Sequence, residues 1–175
     1  MRFAVISTSL NPKSRSRVLA KEAALLLEKR SGEVDLIDLA TFPLPLCDGG
    51  KCYGDPHVSE LKSQLARADG ILMSCPIYNY DISAAGKNLI ELTGRDVWTD
   101  KVAGFLCAAG GKGSYMSLMG VMGSLMLDFH TTILPRFVYT TGADFEDGAL
   151  ESAEVKQRLK LVVDELARYT EKLRG

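Results

Sequence analysis

The sequence predicts a three-layer α/β sandwich, with a five-stranded parallel sheet in the order 2-1-3-4-5 and helices on both faces. Two observations carry this. Apolar runs of strand length recur at residues 3–7, 34–39, 71–74, 102–108 and 133–139, and stretches with helical spacing lie between them. Right-handed crossovers, with both faces covered, leave this strand order as the economical one.

The elements follow in order. The first strand, 3–7, gives way to a helix over 14–30 with Val18, Leu19, Ala23 and Leu26 on one face and Gly32 as its stop. After the second strand, 34–39, comes a proline- and glycine-rich irregular stretch over 40–57, long enough to suggest a functional loop. A second helix, with weaker periodicity, is expected at 58–67. The third strand, 71–74, runs into the turn Cys75-Pro76-Ile77-Tyr78-Asn79-Tyr80, and helical spacing resumes at Ser83. The fourth strand, 102–108, is followed by a glycine cluster and an almost uncharged helical stretch over 114–127. The last helix starts at Ser152, an N-cap residue, and carries Val155, Leu159, Val162, Val163, Leu166 and Leu173 at helical spacing. Five helices result.

Size and composition limit the function. A chain of 175 residues, 46% hydrophobic and 25% charged, reads as one domain over 1–175 with about two-thirds of its unfolded surface buried. A net charge of −1 with interspersed signs offers no footprint for nucleic acid and no polybasic patch for a membrane. The start is too short and too strand-like for a signal peptide, so the expected location is cytoplasmic. The four cysteines read as free thiols of a reducing compartment.

In this topology the loops after strands one, three and four open on one side of the sheet, where such folds bind ligands. The first, Ser7 to Arg17, is rich in hydroxyls (Ser9, Ser14, Ser16) and enters a helix N-terminus, whose unpaired amides favour an anion. Two readings stand, a phosphate cradle and a set of capping and turn serines. Arg15 and Arg17 tilt towards the cradle, because cations in a first helical turn oppose the dipole unless an anion offsets them. Without glycine, the loop matches neither a Walker A sequence nor the dinucleotide fingerprint. The second loop, with Pro76, Ile77, Tyr78, Asn79 and Tyr80, offers rigid backbone, flat rings and an amide suited to a flat polar heterocycle. The third, Ala108-Ala109-Gly110-Gly111-Lys112-Gly113-Ser114, would let backbone amides approach a ligand closely, with glycine free to take positive φ.

These residues resemble the NADPH-dependent FMN reductase family of the flavodoxin-like fold, which includes flavin, quinone, azo-dye and chromate reductases. The family's phosphate loop, Gly-Ser-x-Arg-x-x-Ser-x-Asn-Arg, corresponds to Thr8-Ser9-Leu10-Asn11-Pro12-Lys13-Ser14-Arg15-Ser16-Arg17. Ser9, Ser14 and Arg17 match; Thr8, Asn11 and Ser16 depart. The family's Pro-x-Tyr-Asn turn appears as Pro76-Ile77-Tyr78-Asn79 and its Lys-Asn pair as Lys87-Asn88. Ala109-Gly110-Gly111 and Asp144-Phe145-Glu146-Asp147-Gly148 resemble its later segments. The resemblance implies bound FMN, NADPH or NADH as co-substrate, ping-pong transfer to a small-molecule acceptor such as a flavin or quinone, and a homodimer or homotetramer. It implies that the first loop holds the phosphate, that 76–79 line the ring and ribityl chain, and that amides of 109–111 face the pyrimidine end. The cofactor carries the chemistry, so no catalytic side chain is expected.

Other constellations rank lower. Cys47 and Cys52 lack a second Cys/His pair for a metal and read as ordinary thiols, with a redox-sensing role as the alternative. His57 reads as a solvated loop residue, and His130 as a strand-entry residue. The stripe Met116, Met119, Met122 and Met126 reads first as core packing. A helix without a polar face over 114–127 nevertheless calls for cover on both sides, from the sheet and a second subunit. Trp98 fits either that interface or the flavin site. The rivals to a reductase are a flavodoxin-type electron carrier and a non-enzymatic redox-sensing module.

Overall fold

The structure, a computed structural model, describes residues 1–174. Strand β1 (Arg2–Ser7) leads into helix α1 (Arg15–Ser31), which ends where Gly32 takes φ 87° and donates its N–H to the Glu28 carbonyl. Next come β2 (Glu33–Asp38), α2 (Pro56–Ala66), β3 (Gly70–Tyr78), β4 (Asp81–Ile82), α3 (Ala84–Thr93), the single turn α4 (Arg95–Trp98) and β5 (Val102–Ala108). The chain continues through α5 (Met119–Phe129), β6 (Thr132–Ile133), β7 (Val138–Thr140), a hairpin of β8 (Phe145–Glu146) and β9 (Ala149–Leu150), and α6 (Ala153–Leu173).

The main sheet has seven strands rather than five, while the expected spatial order survives. From one edge it reads β2, β1, β3, β5, with β6 and β7 both pairing parallel to β5. The expected fifth strand is thus two short ones, because Pro135 between them has no N–H for the ladder. The seventh strand, β4, folds back antiparallel on β3. Where a turn was expected after residue 74, β3 continues to Tyr78. Pro76 is tolerated there because β1 pairs with β3 only as far as Ser74, so beyond it the missing donor faces no strand.

Alternate strand residues feed two cores. Phe3, Val5, Leu72 and Leu106 pack with Leu19, Ala23 and Leu27 of α1 and Leu159, Val163 and Leu166 of α6. Ala4, Ile6, Ile71, Met73 and Phe105 pack on the opposite face with Leu61 and Leu65 of α2, Leu89 of α3 and Leu125 of α5. Several expected core positions differ. Leu173 is exposed at the end of α6, and of the four methionines only Met122 is buried. His57 lies in the first turn of α2, where its N–H meets the capping carboxylate of Asp55. His130 closes α5 in the left-handed region, just before β6. Trp98 is fully buried, with Nε1 donating to Thr93 Oγ1 at 2.9 Å, and so serves neither an interface nor a flavin site.

One backbone approach is tight enough to test. A Cβ on Gly70 would stand 2.6 Å from Thr170 Oγ1 and 2.9 Å from Phe3 Cε1. Both neighbours are packed between β1 and α6, so Gly70→Ala is expected to cost about 1–3 kcal/mol, read as a lower urea midpoint.

Candidate active site

The carboxyl ends of β1, β3 and β5 open onto a cleft of about 820 Å³, within the roughly 300–1,000 Å³ usual for small-molecule sites. Ser14, Arg15, Pro76, Ile77, Tyr78, Ala109 and Gly110 line it, so all three predicted loops contribute. Arg17, from the first loop, is joined in the lining by Val18 and Lys21, one and four residues further along the same face of α1. Phe145, Asp147 and Gly148 close it from the β8–β9 hairpin.

Ser9 and Ser16 are buried and do not line the cleft. They shape the first loop from behind. Ser9 Oγ accepts from the Asn11 amide at 3.3 Å, and Ser16 Oγ lies 2.7 Å from Ser14 Oγ. Ser74 Oγ donates to the Ser16 carbonyl at 2.6 Å. Thr8 Oγ1 donates to the Ser74 carbonyl at 3.2 Å, while Ser83 Oγ donates to the Thr8 carbonyl at 3.1 Å. A loop without glycine is thereby fixed by a lattice of hydroxyls between β1, β3 and α3.

Arg17 also works on the loop. Its Nε and Nη2 donate to the two carboxylate oxygens of Asp38 at 2.6 and 3.1 Å. Nη1 donates to the Asn11 carbonyl at 2.8 Å and Nη2 to that of Ser9 at 3.2 Å. The fork therefore spans both arms of the loop and ties them to the end of β2. Arg15 has an exposed guanidinium 6.0 Å from the ring centroid of Phe145, within cation–π range.

The start of α1 borders the cleft without a side-chain cap. Asp55, Ser83 and Ser152 cap α2, α3 and α6 with side-chain oxygens, but no side chain caps α1 and its first turn holds no acid. Partial positive charge is thus left at that helix end, beside Arg15 and Lys13.

The second loop is a tight hairpin. Ile77 pairs with Ile82 and Tyr78 with Asp81, and Asn79 and Tyr80 form a two-residue turn with φ 49° and 67°. Asp147 and Gly148 form a similar two-residue turn between β8 and β9, with φ 47° and 81°. There the second residue is glycine; here it is a half-exposed tyrosine in a conformation disfavoured for bulky residues.

In the third loop, Gly110 and Gly111 do not use positive φ, contrary to expectation; Gly111 is extended at φ −162°. What distinguishes them is open space, with nothing within 4 Å of a Cβ built on either. Their amides donate to no acceptor among the described residues, whereas the Ala109 amide donates to the Thr140 carbonyl at 2.9 Å. The Tyr139 hydroxyl donates to the Gly111 carbonyl and steadies the loop. An uncapped helix end, bare amides and a partly apolar cleft together fit a phosphorylated heterocycle such as FMN.

Of the Lys87-Asn88 pair, Lys87 forms an ion pair with Glu91 at 2.7 Å. Asn88 holds the long loop after β2: Oδ1 accepts from the Cys47 amide at 2.8 Å, and Nδ2 donates to the Pro45 carbonyl at 2.9 Å.

Sheet order, layering and cleft position define a flavodoxin-like α/β protein, and solved structures share that fold. The apo form of an NADH:FMN oxidoreductase superposes with a TM-score of 0.79 at 16% identity, covering 96% of this chain and 89% of the other. The flavoenzyme NAD(P)H:(acceptor) oxidoreductase from Paracoccus denitrificans gives 0.79 at 22% identity, covering 98% and 97%. The family model for NADPH-dependent FMN reductase matches residues 1–145, and the chain belongs to that family. It is accordingly an oxidoreductase that works with FMN and a reduced nicotinamide. An NADPH:quinone oxidoreductase of Arabidopsis thaliana is 31% identical over 191 residues, spanning 100% of this chain and 94% of the relative. An NADPH azoreductase of Bacillus sp. (strain OY1-2) is 29% identical over 170 residues, spanning 97% and 92%.

Proposed function

We propose that the chain reduces quinones and comparable small acceptors, with FMN held in the cleft between the first, second and third loops. The uncapped, acid-free N-terminus of α1 carries this reading, because it leaves an anion-binding helix end facing a cofactor-sized cleft. Ser14, Arg15 and the amides at the start of α1 would hold the phosphate, with Ser9 and Ser16 shaping the loop behind it. Pro76 to Tyr80 would flank the ring, and the amides of Gly110 and Gly111 would hydrogen-bond its polar end. When bound there, FMN would supply the hydride chemistry that links the nicotinamide to the acceptor. The chain's contribution is to bind, orient and stabilise negative charge with preplaced donors. The expected setting is cytoplasmic, with NADPH or NADH as reductant; among the described residues no helix is long and apolar enough to cross a membrane.

The test is the visible spectrum of FMN-loaded protein under anaerobic NADPH. Bleaching within seconds, followed by recovery on adding a quinone, is the expected result. Flavin that binds and stays oxidised with both NADPH and NADH would point to an electron carrier, and absence of flavin binding would remove the assignment of the cleft.

Tyr80 is the position where local strain and function should separate. Tyr80→Gly is expected to stabilise the fold by about 0.5–1 kcal/mol, because glycine adopts that φ freely. The same change should raise the KM for nicotinamide or quinone, since the hairpin tip loses its exposed ring.

The apolar surface of α5 and the turn that leads into it supports a homodimer. Met116, Met119, Met126 and Leu127 are 44–84% exposed, in a stretch with no charged residue from 114 to 127. Sedimentation at micromolar concentration is expected to give a dimer or a tetramer built from it. Met119→Asp combined with Leu127→Asp should yield monomer; a monomeric parent chain would rule out this interface.

A further inference from the structure

Cys47 and Cys52 form a local chemical unit in the loop between β2 and α2, outside the cleft lining. The Asp48 carboxylate accepts from the amides of Gly50 and Cys52 at 2.8 and 3.1 Å, folding the backbone so that the Asp48 amide donates to Cys52 Sγ at 3.4 Å. This turn places the two sulfurs 4.0 Å apart. Cys52 is buried, whereas Cys47 is half-buried, with the Tyr53 hydroxyl 3.6 Å from its sulfur. Among the described residues no group of three or more His, Cys, Asp and Glu side chains is arranged to hold a metal ion.

The surroundings distinguish the two thiols from the rest. The Tyr53 hydroxyl, and after it the Gly49 amide, lower the pKa of Cys47 from its ordinary value, while burial and the charge of Glu91 act the other way. Glu91 is itself paired with Lys87. Hydrogen bonding from the Cys52 thiol and the turn amides holds the Asp48 carboxyl at about 2, so it is ionised at neutral pH and the turn stays folded there. Cys75 and Cys107 are fully enclosed in strands β3 and β5, and burial pushes the Cys75 thiol up to about 12 and that of Cys107 well above its ordinary value. Those two are inert core residues.

We propose that Cys47 and Cys52 are a reversible thiol–disulfide pair oxidised by hydroperoxides, with Cys47 as the attacking thiol and Cys52 as the resolving one. The Cys47 thiolate attacks the distal oxygen of ROOH and the O–O bond breaks, leaving Cys47 as a sulfenic acid and releasing RO⁻, which is protonated to ROH. The Cys52 sulfur then attacks Cys47 Sγ and the S–O bond breaks. Hydroxide leaves with the Cys52 proton as water. Two electrons pass from the sulfurs to the peroxide, so two thiols and ROOH give a disulfide, ROH and water. A dithiol reverses the oxidation by exchange. The sulfurs must close from 4.0 Å to a bonding separation near 2.05 Å. That movement falls on the half-buried Cys47 side, since Cys52 is packed with Val58 and Leu92.

The experiment treats the fully reduced chain, free of added flavin, with one to ten equivalents of hydrogen peroxide at pH 7, followed by alkylation and mass analysis. The expected product is lighter by two hydrogens and has lost two alkylatable thiols. Trypsin cuts after Lys51, between the two cysteines, so the bridge appears as two peptides joined only without reductant. Cys52→Ser should stop at a Cys47 sulfenic acid that dimedone traps, and Cys47→Ser should leave Cys52 a free thiol. Tyr53→Phe should slow oxidation of Cys47 several-fold and move its alkylation midpoint to higher pH. Four intact thiols after ten equivalents, or oxidation spread to Cys75 and Cys107, would overturn the pair. Unchanged Cys47 reactivity in Tyr53→Phe would overturn the assignment of Cys47 as the attacking thiol.

Discussion

Arg17→Ala is expected to weaken FMN binding about 30-fold while leaving the helical circular dichroism unchanged. The guanidinium makes four hydrogen bonds, two to Asp38 and one each to the carbonyls of Asn11 and Ser9. Its side chain is 12% exposed and that of Asp38 23%, so removing it leaves a carboxylate and two carbonyls poorly solvated. A fully buried pair broken in this way costs about 3–5 kcal/mol; with partial exposure we expect about 2 kcal/mol, or about 30-fold if it falls on the loop proposed to cradle the phosphate. Arg17→Lys should not restore binding, because one ammonium cannot reach both carboxylate oxygens and both carbonyls. Flavin titration of Arg17→Ala, Asp38→Ala and the double variant measures the coupling. Additive losses would show that the pair does not shape the site.

Gly111→Val is expected to lower FMN affinity about 100-fold without lowering the urea midpoint. Valine suits extended backbone at φ −162°, and its Cβ would meet no atom of the chain. On the proposed placement of FMN the methyl groups would extend into the open space beside the Gly110 and Gly111 amides, costing both contact area and hydrogen bonds, about 3 kcal/mol in sum. Gly113→Val is the control, since that position also has open space around it. Wild-type affinity in a folded Gly111→Val variant would remove the glycine loop from the flavin site.

What could be read from the sequence follows from how local each cause is. The strands β1, β3 and β5 announced themselves as apolar runs because a parallel sheet covered on both faces requires both sides of a strand to be apolar, whereas β2, at the sheet edge, buries only Ile37 fully. The fifth expected strand split at Pro135, a local signal that the surrounding apolar residues obscured. The hairpin at Asn79-Tyr80 lacked the glycine that normally marks such a turn, whereas Asp147-Gly148 carries it. That the first loop borders the cleft could be read from its hydroxyls, but not the division of labour within it. Arg17 and Asp38 lie 21 residues apart and meet only because β1 and β2 pair in register from Arg2–Glu33 to Ser7–Asp38. Likewise, no periodicity could show that Ser9 and Ser16 turn inward while Ser14 and Arg15 line the cleft. The methionines followed helical spacing, but spacing alone does not say whether a second face meets the sheet or the outside.

The hydroxyl lattice behind the first loop has a kinetic consequence. Thr8, Ser16, Ser74 and Ser83 hold one another, so the loop has its shape before any ligand arrives and capture includes no slow ordering step. The chain's net charge of −1 gives little long-range pull on a phosphate dianion. Association should therefore proceed at an ordinary encounter rate that changes little from one cleft variant to the next, and residence time should register nearly all differences in affinity.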